Sequence, residues 1–112
     1  MRLAHTRLAP SEYLDILKRG QMITHPPLQI KVLLNPSSQL QYAIRIPKKI
    51  VPLATKRNRL KRLIRAPLHA AAKEKPFRYK CIITLIRSKE GISEPALIYS
   101  LQTILARLSK PL

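Results

Sequence analysis

Residues 41–65 read QYAIRIPKKIVPLATKRNRLKRLIR, and the change of period inside this stretch decides the fold. From Gln41 to Ile46 the larger apolar side chains, Tyr42, Ile44 and Ile46, fall on every second position with Ala43 and Arg45 between them. That is the alternation of a half-buried strand. Pro47 and Pro52 then bracket a loop that carries Lys48 and Lys49, and Thr55 is placed to cap a helix beginning near Lys56. Within this helix Leu60, Leu63, Ile64, Leu68 and Ala71 share one side. Asn58, Lys61, Arg62, Arg65 and His69 share the other, at helical spacing. Pro67 deletes one backbone hydrogen bond and crowds the preceding turn, at about 3 kcal/mol in a helix interior. A kink or an end is therefore expected near Ala66, with a second short helical piece running to Lys75.

The flanking segments extend this pattern in both directions. Leu28, Ile30, Val32 and Leu34 alternate like a strand, and Asn35, Pro36, Ser37 and Ser38 mark a turn. Upstream, Ser11 reads as the cap of a short helix with an apolar stripe of Tyr13, Leu14, Ile16 and Leu17, ended by Gly20. Gln21 to Pro27 holds two prolines and reads as extended chain or an edge strand. Residues 1–10 form a basic, unpatterned lead-in that is expected to be flexible. Downstream, Tyr79 to Ile86 is apolar on both faces, as in a central strand. Ser93, Glu94 and Pro95 begin a last helix with the stripe Leu97, Ile98, Leu101, Ile104, Leu105 and Leu108, closed by Pro111. The chain thus reads as one α/β domain over residues 1–112, a mixed sheet of four strands with three helices packed on it. With the apolar sides of the strands inward, Gln29, Lys31 and Arg45 share the more accessible face of the sheet.

Charge narrows the class of partner. Among 112 residues, 22 Lys and Arg stand against five acids, a formal net charge of +17. Between Asp15 and Glu74 there is no acid, while 13 of the Lys and Arg fall there. Such a chain repels itself until a polyanion neutralises it. Nucleic acid suits this better than a membrane, because no apolar run approaches the length of about 18 residues needed to span a bilayer. The single cysteine, Cys81, cannot form an internal disulfide and lies in an apolar run, which fits a buried thiol of a cytoplasmic protein.

The residues that carry metal-dependent cleavage are scarce. Glu12, Asp15, Glu74, Glu90 and Glu94 are the whole carboxylate supply, in three separated regions. A metal-dependent nuclease usually brings several together on one or two ions. His5, His25 and His69 have no metal-ligand spacing among themselves or with Cys81. With only Gly20 and Gly91, there is no glycine-rich phosphate loop. No spacing supports a serine or cysteine nucleophile with a histidine partner. The chain is equipped to grip phosphate rather than to cleave it.

Ile44-Arg45-Ile46-Pro47-Lys48-Lys49, followed after a loop by Arg57-Asn58-Arg59-Leu60-Lys61-Arg62-Leu63-Ile64-Arg65, strongly resembles the protein component of bacterial ribonuclease P. The resemblance implies the family's α/β sandwich with a left-handed βαβ crossover. It implies a non-catalytic protein subunit that assists the 5′ maturation of tRNA by a catalytic RNA, with Mg2+ held mainly by that RNA. The partners implied are ribonuclease P RNA and precursor tRNA, with neither membrane nor DNA. Carried over by position, Lys48, Lys49, Arg57, Asn58, Arg59, Lys61, Arg62 and Arg65 match the RNA-binding signature. Tyr13, Lys31 and Arg45 would line a cleft for the 5′ leader of precursor tRNA. The chain departs from the family pattern at Leu17 and Lys31, where aromatics are usual, at Val51, where a glycine is common, and at Pro67. The loop before Arg57 also looks one residue longer. Tyr42, Tyr79 and Tyr99 read as packing residues. The competing readings are a ribosomal or assembly protein using the same helix on ribosomal RNA, a self-sufficient nuclease, and a DNA-binding protein without an evident dimer element.

Overall fold

The computed structural model describes residues 5–34, 40–74, 79–87 and 92–108. The turn expected at residues 35–38 lies outside these, as do Lys75, Phe77, Glu90, Gly91 and Pro111. The elements run β1 (His5–Arg7), α1 (Pro10–Arg19), β2 (Gln21–His25), β3 (Leu28–Leu34), β4 (Leu40–Arg45), α2 (Ala54–Glu74), β5 (Tyr79–Leu85) and α3 (Glu94–Leu108). The sheet order is β1-β4-β5-β3-β2. β4 is parallel to both β1 and β5, while β3 is antiparallel to both β5 and β2. The α/β sandwich and its four longer strands follow the sequence reading. A fifth, three-residue strand comes from the lead-in and is too short for any period to announce it.

Alternation and register together define the core. Ile30 pairs with Ile83, Val32 with Cys81 and Leu28 with Leu85, so these six share one face, joined by Tyr42 and Ile44 through β4. Against this face α2 lays Leu60, Ile64 and Leu68, and α3 lays Leu97, Leu101 and Ile104, all buried. The second face is covered only in part. There α1 seats Ile16, and Ile82 points from β5 the opposite way to its neighbours; both are buried, outside the main cluster. Lys80 faces Glu12 at 3.8 Å. The Lys31 ammonium donates to the Leu17 carbonyl at 2.9 Å, serving one of the last backbone acceptors of α1.

Three boundaries differ from the sequence reading. The N-cap of α1 is Ala9 rather than Ser11, with Pro10 at the first helical position, where a missing N–H is harmless. The Glu12 carboxylate reaches back to the Ala9 N–H at 3.2 Å. α2 begins at Ala54, so Thr55 lies inside the helix. Pro67 does not end α2, which runs as one helix from Ala54 to Glu74. A proline removes a single ladder bond. Core packing on both sides of it, by Ile64 at 1% exposure and Leu68 at 0%, holds the helix on the sheet.

Gly20 is required by close approach rather than by an unusual backbone angle, since its φ is −67°. Its N–H donates to the Ile16 carbonyl at 2.7 Å as the chain turns straight into β2. A Cβ here would press on that same oxygen, with Ile16 Cγ2 at 3.1 Å and the Val32 carbonyl oxygen at 3.2 Å. Gly20→Ala is therefore expected to lower stability by about 1–3 kcal/mol, as overpacking does. Urea unfolding checks this, and an unchanged midpoint would show that α1 shifts freely.

Candidate RNA-binding surface

Burying Leu60, Ile64 and Leu68 against the sheet forces the opposite side of α2 outward. Asn58, Arg62 and Arg65 are exposed there, with Lys61 and His69 half-buried beside them. Their order is the i, i+3, i+4, i+7, i+11 row expected of one helix face. The His69 Nε2 lies 2.9 Å from the Tyr42 hydroxyl, and the two rings meet edge to face at 5.6 Å. Burial raises the Tyr42 phenol above its usual pKa, and the neighbouring Arg65 guanidinium opposes that shift. Tyr42 thus packs, as expected, but it also anchors the far end of the basic face.

The loop before α2 presents two more cations. The N–H groups of Ile50 and Val51 both bond the Pro47 carbonyl, at 3.1 and 3.0 Å. This turn buries Ile46 and Val51 and leaves Lys48 and Lys49 exposed. Arg57 holds the loop onto the helix: its Nη1 donates to the Val51 carbonyl at 3.0 Å and to the Pro52 carbonyl at 2.8 Å. Arg59 pairs with Glu94 of α3, Nε to Oε1 at 2.5 Å. Of the eight signature residues, then, Arg57 and Arg59 are committed within the protein. Among the described residues, the ion pairs are Arg19–Asp15, Arg59–Glu94 and Lys80–Glu12, and none draws on Lys48, Lys49, Lys61, Arg62 or Arg65.

The three cleft residues do not converge equally. Tyr13 is half-buried on α1 and Arg45 is exposed on the open side of β4. Lys31 lies on the same sheet face, with its ammonium on the Leu17 carbonyl. Register adds what the sequence could not place: Thr24 pairs with Gln29, Gln29 with Thr84, and Thr84 with Arg45. These four make a polar row across the sheet. Tyr99, read as a packing residue, is 65% exposed, with its ring 5.8 Å from that of His25. The stripe of α3 leaves it on the solvent side.

A family model for ribonuclease P matches residues 3–109. The chain belongs to the ribonuclease P protein family. The family's role is the 5′ processing of tRNA as a ribonuclease P subunit, and the chain shares its fold with solved members. The ribonuclease P protein of Thermotoga maritima superposes with a TM-score of 0.75 at 21% identity, over 95% of this chain and 100% of that one. A structure of the Staphylococcus aureus ribonuclease P protein gives 0.76 at 18% identity, over 92% and 94%. A second from that organism gives 0.76 at 17%, over 100% and 97%. No curated protein matches the sequence. Within this ribonuclease P fold, the signature residues map to the loop after β4 and the first half of α2.

Proposed function

We propose that this protein positions RNA for ribonuclease P and leaves hydrolysis, and the Mg2+ that hydrolysis needs, to the catalytic RNA. The observation that carries this is the outer side of α2 with its preceding loop, where Lys48, Lys49, Asn58, Lys61, Arg62 and Arg65 stand together without an interleaved acid. A solvated helix face ordinarily mixes the two signs at i+4 spacing. A row of cations at helical pitch follows a phosphate backbone. The polar row ending at Arg45, with Tyr13 on the adjoining helix, is the surface on which the 5′ leader of precursor tRNA would lie.

The chemistry of the remaining side chains supports the division of labour. Among the described residues, no three His, Cys, Asp or Glu side chains gather where they could hold a metal ion. Burial pushes the Cys81 thiol up to about 12, so little thiolate exists near neutrality. Ser100 is fully buried and its hydroxyl donates to the His25 carbonyl oxygen, although the His25 Nδ1 lies 3.2 Å away. Its proton is committed to the backbone, as in a structural hydroxyl. Among the described residues no helix is long and apolar enough to cross a membrane, and a cytoplasmic site of action fits this reading.

The deciding experiment is cleavage of a 5′-extended precursor tRNA at low magnesium, by a bacterial ribonuclease P RNA with and without this protein, and by the protein alone. Correct 5′ ends whose yield depends on both components are expected. Cleavage by the protein alone would reverse the assignment of the chemistry. RNA activity indifferent to a protein that nevertheless binds ribosomal RNA would favour the assembly-protein reading.

A further inference from the structure

The packing of α3 against α2 leaves a groove beside the basic face. It consists of two cavities, of ≈ 480 and ≈ 410 Å³, which share Arg59 and Arg62. Its floor is apolar: Leu60 and Ile92 line the first, Leu63 and Ile98 the second, and the Pro67 ring forms part of the second wall. Its rim is cationic, with Lys56 and Arg62 exposed. The carboxylate at the rim, Glu94, is already paired with Arg59. Each cavity falls in the size range of small-ligand pockets, roughly 300–1,000 Å³, far too small for a duplex. An apolar floor under a cationic rim matches the two halves of a nucleotide, a flat base and an anionic phosphate. Single-stranded RNA is commonly held with its phosphates on cations and its unstacked bases on aromatic or Arg side chains; here an aliphatic floor stands in the place of the aromatic platform. Arg62 also stands on the outer face of α2, so the groove is continuous with the surface already described.

We propose that the α2–α3 groove is a subsite for one unstacked nucleotide of the RNA partner, its base on Leu63, Ile92 and Ile98 and its phosphates on Lys56 and Arg62. This rests on the RNA-positioning reading above and adds to it a base contact made by α3, outside the signature. It also gives Pro67 a place: the ring that removes a helix hydrogen bond forms part of the wall of the groove.

The test uses the full chain with a bacterial ribonuclease P RNA, mapping base reactivity to dimethyl sulfate and backbone protection from hydroxyl radicals side by side. Ile98→Glu places a carboxylate on the floor of the second cavity, and Ile98→Gln roughly keeps the side-chain volume while removing the apolar floor. Both variants are expected to restore reactivity at one or two bases that the wild-type protein protects. Both should leave the backbone footprint along α2 in place and raise Kd about tenfold, the order expected when the apolar contact of one base is lost. The retained backbone footprint shows that the variants are folded. Base reactivity and Kd unchanged in both variants would overturn the subsite and leave the groove to a protein partner of acidic character. A wild-type protein that protects no backbone of this RNA would overturn the RNA-positioning reading itself, and the subsite with it.

Discussion

Reversing Arg62 and Arg65 together to glutamate is expected to weaken binding to ribonuclease P RNA by on the order of a hundredfold or more. Both guanidinium groups are exposed and one turn apart on α2, and neither is held by a carboxylate among the described residues. A hydrogen bond to a charged group contributes about 1.5–3 kcal/mol, so losing two of them accounts for that factor before any new repulsion is added. The salt dependence is the sharper readout. Each lost phosphate contact should flatten the slope of log K against log salt by about 0.7–0.9, and the pair by roughly twice that. Arg57→Ala should behave differently, because its guanidinium bonds the Val51 and Pro52 carbonyls rather than facing outward. Its effect is expected on stability, with little change in slope. Binding titrations at several KCl concentrations separate the two cases. A double reversal that leaves the slope unchanged would move the RNA off this face of α2.

Leu68→Ala is expected to cost about 2–5 kcal/mol of stability, the range for emptying a closed core position. It should do so unevenly. Leu68 is fully buried immediately after Pro67, at the point where the backbone ladder of α2 lacks a donor. The second half of the helix therefore leans on that side chain more than the first half leans on Leu60. Amide exchange should accelerate over residues 68–73 more than over residues 58–65. Adding Pro67→Ala should recover part of the loss, since the restored N–H can bond the Leu63 carbonyl. Uniform acceleration along α2, with no recovery from the second substitution, would mean that the helix is held as one rigid unit.

The periods of the chain are legible in its sequence, and the relations between distant segments are not. The alternation at Tyr42, Ile44 and Ile46 and the helical spacing of Leu60, Ile64 and Leu68 place β4 and α2 correctly, because burial imposes those periods locally. A kink or an end near Ala66 is the expectation from propensity, which weighs the hydrogen bond lost at Pro67 and cannot see the sheet that holds the helix on beyond it. Tyr99 reads as a packing residue because its place on the circumference of α3 depends on which flank meets β2. The polar row Thr24, Gln29, Thr84 and Arg45 is only partly visible. Alternation puts Gln29 and Arg45 on one face, but pairing them through Thr84 needs a register between strands far apart in the chain. The same limit hides the commitment of Arg59. Its place in the signature is local, while the carboxylate that holds it, on Glu94, comes from α3.

The strand order also sets a timetable for synthesis. β3 and β4 follow one another in the chain but do not pair; each is bonded to β5, which is made some forty residues after β4. At ordinary elongation rates that interval is roughly two to eight seconds. Until Leu85 has emerged, the growing polypeptide can complete only the β2–β3 hairpin and the short β1–β4 pair. The basic helix meanwhile has no finished floor on which to set Leu60, Ile64 and Leu68. A nascent chain arrested before Tyr79 would therefore carry the whole RNA-binding signature without the strand that joins the two halves of its scaffold, so that recognition matures only once β5 has been made.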